Sequence, residues 1–143
     1  SLIYAHCPIM DGAAQLIDAL STDGWRLAVG SSGPTENVDL VLDGLARRHL
    51  MSPVVTGRDV SRGKPDPEIF QRAAELAGIS PDRCLVIEDA PVGIQAARAA
   101  GMKCVALLST GRHRSDFASQ PPDLIVQSLG ELNSTRLASL FDS

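Results

Sequence analysis

The sequence predicts an α/β fold: one parallel sheet with helices on both faces, in a single domain covering residues 1–143. Three observations carry that prediction. Short apolar runs alternate with amphipathic helical stretches along most of the chain. Strands joined through helices imply right-handed crossovers and a parallel sheet. The run Cys84-Leu85-Val86-Ile87 shows no polar alternation, the pattern of a strand covered on both sides. And 143 residues that are 44% hydrophobic but only 3% aromatic suit one domain with an aliphatic core.

The elements follow in order. Asp11 can cap a first helix whose apolar positions, Ala13, Leu16, Ile17 and Leu20, have helical spacing. Gly24 marks its exit, and Trp25 to Gly30 reads as a strand ending in Ser31-Ser32-Gly33-Pro34. Thr35 can cap the next helix, with Val38, Val41, Leu42 and Leu45 on one face. Pro53 to Gly57 reads as a short strand, and the polar stretch RDVSRGKPDP as a loop. Asp66 followed by Pro67 is a helix start. The stripe of that helix is Ile69, Phe70, Ala73, Ala74, Leu76 and Ala77, and Gly78 stops it. After the Cys84 strand come a helix over Val92 to Ala100, a strand over Cys104 to Leu108 and a polar loop over 109–120. A short strand over Leu124 to Val126 and a helix over Leu129 to Phe141 close the chain. Trp25 is expected to cover the sheet edge.

Composition excludes several functions. A formal net charge of -4 argues against a nucleic-acid surface. No apolar run approaches the ~20 residues that span a bilayer, and no basic segment precedes a short apolar one as in a signal peptide. Cys7, Cys84 and Cys104 lack the spacing of a disulfide framework or metal site, and read as reduced thiols of a cytosolic protein. His6 and His49 lack a metal-ligand spacing.

In a parallel sheet, ligands bind beyond the carboxyl ends of the strands. That rule selects Ser31-Ser32-Gly33, the loop around Lys64, the doublet Glu88-Asp89, and the 109–114 loop. Adjacent carboxylates at a strand end repel each other unless a cation compensates. Mg2+ takes such oxygen ligands together with phosphate oxygens. An acidic helix N-terminus meeting the helix dipole accounts for the doublet equally well. Ser31-Ser32-Gly33 opens backbone N–H groups to an anion at a helix start, and is also ordinary turn chemistry. Lys64, between Gly63 and Pro65, is either aimed at a fixed point or a solvated surface lysine. Arg112, His113 and Arg114 read more simply as a solvated basic loop.

Taken in order, AVGSSGP, GKPDPEIF and VIEDAPVGIQAARAAGM resemble the second, third and fourth motifs of the haloacid dehalogenase-like hydrolase superfamily. The branch resembled is that of β-phosphoglucomutase and phosphoglycolate phosphatase, over nearly the whole chain from about Pro8 to Phe141. The resemblance implies a Rossmann-like three-layer α/β/α fold and Mg2+-dependent phosphoryl transfer through an aspartyl-phosphate. It implies that Ser31, with the Ser32 N–H and Gly33, binds a phosphoryl group. Lys64 would neutralise charge on the nucleophile and the transferring group. Asp89 would ligate Mg2+, with Glu88 a ligand or its partner. The implied substrate is a small phosphorylated metabolite. A phosphomutase, or a non-catalytic phosphate-binding domain completed by a partner, fits the same motifs.

The first family motif, a strand ending Asp-x-Asp-Gly, has no counterpart here. Asp11-Gly12 lies only 20 residues before Ser31 and fits the turn that starts a helix. The chain is therefore expected to lack the nucleophile, the first central strand and the cap domain, to be the C-terminal part of a longer parent, and to be inactive alone. Three outcomes are open for the central strand position. Leu2-Ile3-Tyr4 fills it, another chain supplies a strand, or the two halves close up.

Overall fold

Six parallel strands stack in the order β3-β2-β1-β4-β5-β6. They are β1 (Leu2–His6), β2 (Arg26–Gly30), β3 (Met51–Val55), β4 (Cys84–Glu88), β5 (Lys103–Leu107) and β6 (Leu124–Val126). The computed structural model describes the backbone of residues 2–6 and the whole of residues 12–142. The helices are α1 (Ala13–Thr22), α2 (Thr35–Leu45), α3 (Glu68–Ala77), α4 (Pro91–Ala99) and α5 (Ser134–Ser139). None of the described helices is long and apolar enough to cross a membrane.

The expected gap in the sheet is closed from within the chain. Strand β1 lies between β2 and β4, pairing Leu2 with Arg26 on one side and Leu2 to His6 with Cys84 to Glu88 on the other. This is the first of the three outcomes, with the strand two residues longer than Leu2-Ile3-Tyr4. A central position left open would strand two rows of backbone N–H and C=O groups in the interior, so some segment must satisfy them.

Successive side chains in a strand point to opposite faces, and this alternation divides the core in two. Cys84 and Val86 of β4, with Ala28, Cys104 and Ala106, face α3 and α4. Leu85 and Ile87, with Leu27, Val29, Val105 and Leu107, face α1, α2 and α5. All five residues of β4 are buried, as its unbroken apolar run predicts. Cys84 and Cys104 are buried free thiols, and burial pushes both up to about 11.

The structure corrects several local expectations. Gly12 occupies the N-cap position of α1 in a left-handed conformation; the proposed Asp11 cap lies outside the described residues, as does Cys7. Pro34, not Thr35, precedes α2 as its N-cap, and the Thr35 hydroxyl bonds that of Thr56 at 3.1 Å. Strand β3 begins and ends two residues earlier than predicted. Asp66 accepts the N–H of Glu68 at 3.0 Å, so it serves the helix start from one position further out than expected. Leu76 is 50% exposed and leaves the α3 stripe. The closing helix is broken into a 3-10 turn over Leu129–Glu131 and α5, with Asn133 capping α5 by accepting the Arg136 N–H. Trp25 precedes β2, an interior strand rather than an edge. Its indole N–H donates to Ser134 Oγ at 3.0 Å and ties down α5.

Candidate active site

The carboxyl ends of β2 and β4 flank that of β1, so a parallel sheet brings residues far apart in sequence to one rim. Strand β2 ends at Gly30, and Ser31 continues it by donating its N–H to the Val55 carbonyl. Ser31 is only 4% exposed. Its Oγ accepts the Gly33 N–H at 3.2 Å, which fixes the turn that leads into α2. Ser32 is exposed and Gly33 half-buried on that turn.

Lys64 reaches the same rim from the loop before α3. Its Nζ donates to the Gly30 carbonyl at 3.4 Å and to Glu88 Oε2 at 2.8 Å. The Lys64 side chain is 5% exposed and that of Glu88 1%. Nζ also lies 5.1 Å from the centre of the Phe70 ring, on the first turns of α3. The reading of Lys64 as a solvated surface lysine therefore fails. The loop that presents it starts with a capping box: Thr56 Oγ1 accepts the Arg58 N–H, and Asp59 Oδ2 accepts the Thr56 N–H at 2.8 Å. Asp59 thus orders this loop, while Arg58 pairs with Glu36 on the surface.

Glu88 ends β4 and turns its carboxylate inward. Oε1 accepts the N–H groups of Asp89 and Ala90 at 3.2 and 3.3 Å. Burial raises its carboxyl to about 7, partly opposed by the Lys64 ammonium, while the neighbouring Asp89 carboxylate adds to the rise. Asp89 itself is half-buried at the mouth of the site. His6, the last residue of β1, pairs through its backbone with Glu88. The sequence-selected residues Ser31, Lys64, Glu88 and Asp89 thus share one rim, bridged through Lys64.

One contact was not legible in sequence. Arg112, on the loop after β5, donates Nε to the Asp89 carbonyl at 3.0 Å. A basic cluster on a strand-end loop is the only signal for it, and that cluster reads equally as solvated surface. His113 and Arg114 stay exposed. The described residues hold no group of three or more His, Cys, Asp or Glu able to bind a metal. Mg2+ needs fewer: one or two carboxylates, with waters and phosphate oxygens filling the remaining positions. The partly exposed Asp89 fits that requirement. Glu88, whose oxygens already accept three N–H donors, fits a place behind it.

Fold and rim together define a class: parallel α/β proteins with a buried Lys–Glu pair and a strand-end Ser-Ser-Gly turn at the carboxyl edge of the sheet. The match to known sequences is narrower. The profile of the haloacid dehalogenase-like hydrolases matches residues 1–101, and the chain belongs to that family. It is 37% identical over 135 residues to validoxylamine A 7'-phosphate phosphatase of Streptomyces hygroscopicus subsp. limoneus, covering 90% of this chain and 62% of that protein. It is 33% identical to the chloroplastic 5-amino-6-(5-phospho-D-ribitylamino)uracil phosphatase of Arabidopsis thaliana, covering 94% of this chain and 35% of that one. The crystal structure of a HAD family hydrolase from Deinococcus radiodurans R1 with bound phosphate and sodium superposes with a TM-score of 0.82 at 31% identity, over 93% of this chain and 60% of that one. The chain spans less than two thirds of each of these relatives.

Proposed function

We propose that this chain is the phosphate- and magnesium-handling core of a phosphatase that acts on a small phosphorylated metabolite. The observation that carries the proposal is the Lys64 ammonium, buried at the sheet rim between the Gly30 carbonyl and Glu88 Oε2. A desolvated lysine fixed beside a strand-end Ser-Ser-Gly turn is suited to a phosphoryl group and poorly suited to anything neutral. Catalysis of phosphoryl transfer is mostly positioning and charge compensation.

Each residue has a role in this reading. Ser31 Oγ and the Ser32 N–H bind phosphoryl oxygens, with Gly33 leaving room for them. Lys64 offsets the charge of the transferring group. Asp89 ligates Mg2+, and Glu88 holds Lys64 and the peptide that carries Asp89. When bound, Mg2+ neutralises charge on phosphate oxygens. The Streptomyces and Arabidopsis relatives named above are phosphatases of phosphorylated small molecules, which supports the substrate class. Their family resemblance supports an aspartyl-phosphate route, whose nucleophile this sequence does not supply: it has no Asp-x-Asp, and β1 ends at His6. The chain by itself is therefore expected to bind phosphate without turning over an ester.

Two measurements on the purified 143-residue chain test this. Titration calorimetry with inorganic phosphate should show binding that needs Mg2+ and that falls at least about tenfold in Lys64→Met, the loss of one charge-assisted contact. Hydrolysis of p-nitrophenyl phosphate should stay at background. Phosphate binding that is indifferent to Lys64 refutes the site, and robust Mg2+-dependent hydrolysis refutes the inactivity.

A further inference from the structure

Gly93 sits in the first turns of α4, where glycine disfavours the helix. The usual reasons for glycine are missing there. Gly24, Gly78, Gly101 and Gly111 all have positive φ and open space around the site of a Cβ. Gly93 is buried and lacks a positive φ. A Cβ built on it would overlap the Cγ, Cδ and Oε2 of Glu88. The constraint is therefore space, and the space belongs to one side chain.

Glu88 cannot yield cheaply. Oε2 is held by Lys64 and Oε1 by the Asp89 and Ala90 N–H groups. Its surroundings are closed, with the residue 0% exposed. The overlap involves Cγ as well as the carboxylate, so rotating the terminal group alone does not relieve it. Any methyl at position 93 must move the Glu88 stem, and with it the acceptor that fixes the Lys64 ammonium.

The geometry points to Gly93 as a positioning residue of the phosphoryl-transfer site: by lacking a side chain it forms the slot into which Glu88 folds to hold Lys64. The functional meaning of this rests on the reading of Lys64 under Proposed function, but the test reads the ion pair itself. The chain has two lysines, Lys64 and Lys103, so Lys103 serves as the internal reference. A brief pulse of acetic anhydride on the folded chain, read by mass spectrometry, should acetylate Lys64 about tenfold faster relative to Lys103 in Gly93→Ala than in the parent, the equilibrium equivalent of one charge-assisted hydrogen bond.

Rescue separates a slot from general helix damage. Glu88→Ala removes the Cγ, Cδ and Oε2 that the added methyl would meet. The double variant Gly93→Ala/Glu88→Ala should therefore melt above Gly93→Ala. A Gly93→Ala chain with the parental Lys64 labelling ratio overturns the inference. So does a double variant no more stable than Gly93→Ala, including the case in which neither folds. If labelling and rescue behave as expected while phosphate binding ignores Lys64, the slot stands and the phosphatase reading falls.

Discussion

Replacing Lys64 with Met keeps a linear apolar stem over Phe70 but removes the ammonium from a pair whose side chains are 5% and 1% exposed. Removing one partner of a buried pair costs about 3–5 kcal/mol, because the other charge is left desolvated. At ~3 °C per kcal/mol for a chain of this size, the melting temperature should drop by roughly 10 °C. The loss should depend on pH in a defined direction. Burial holds the Glu88 carboxyl up to about 7, above its ordinary 4.5. A carboxyl raised on folding contributes stability that is fully present below the unfolded value and is lost as pH rises through the folded one. Without Lys64, which lowers it, the folded value rises further and that loss extends to higher pH. Lys64→Met should therefore cost most near pH 8, where the parent holds Glu88 charged and paired. It should cost less than half as much near pH 5.5, where Glu88 is protonated in both. Thermal melts followed by circular dichroism at the two pH values, in EDTA, measure this. Equal losses at both, or a loss under about 2 °C at pH 8, would show that Glu88 is not the desolvated partner described above.

Other outcomes follow from single contacts. Ser31→Ala should weaken phosphate binding by calorimetry at least about tenfold, the loss of one hydrogen bond to a charged group, while the fold survives. Arg112→Ala removes the donor to the Asp89 carbonyl from an exposed side chain. It should weaken Mg2+-dependent phosphate binding a few fold and leave the melting temperature within about 2 °C, as surface changes usually do. Thr56→Ala breaks the capping box at the start of the Lys64 loop and should cost about 1 kcal/mol in urea unfolding. Cys84 and Cys104, buried and raised to about 11, should resist iodoacetamide at pH 8 until the chain is denatured, as read by peptide mass spectrometry.

How much of this was legible depended on whether a feature lies in local pattern or in a long-range partner. The unbroken Cys84–Ile87 run announced a central strand, because burial on both faces leaves no room for polar alternation. The rim of the site was legible for a similar reason. A parallel sheet puts every strand's carboxyl end on one side, so Ser31 and Glu88 had to share that side once both were placed at strand ends. What the sequence could not show is direction. Nothing in VIEDAP says that Glu88 turns inward to Lys64 while Asp89 stays at the surface. That choice depends on Gly93, five residues on, leaving a slot. The Arg112 contact was invisible because a loop arginine finds a carbonyl only through tertiary placement. The Leu129 to Phe141 helix was read as continuous from its apolar spacing, but Asn133 interrupts it: its side chain caps a new start by accepting the Arg136 N–H, a competition Asn commonly wins.

The charges at the rim explain why cation and phosphate binding should be coupled. Lys64 and Glu88 pair with one another, leaving at the mouth the Asp89 carboxylate and, on the Asp89 carbonyl, the exposed Arg112 guanidinium, which offset each other in net charge. The start of α2 offers a partial positive charge of about half a unit behind Ser31-Ser32-Gly33. The start of α4 offers less, since Glu88 already accepts the Asp89 and Ala90 N–H groups. A phosphate dianion approaching this rim alone meets little net attraction. A divalent cation on Asp89 makes the mouth positive, so each ligand should raise the affinity for the other by the same factor. Asp89→Asn tests this in the chain as it stands. It removes the anionic ligand for Mg2+ and also the charge that repels phosphate. Phosphate affinity without Mg2+ should therefore rise slightly, while the gain on adding Mg2+ should fall at least about tenfold. A variant that keeps the full Mg2+ gain would place the cation elsewhere.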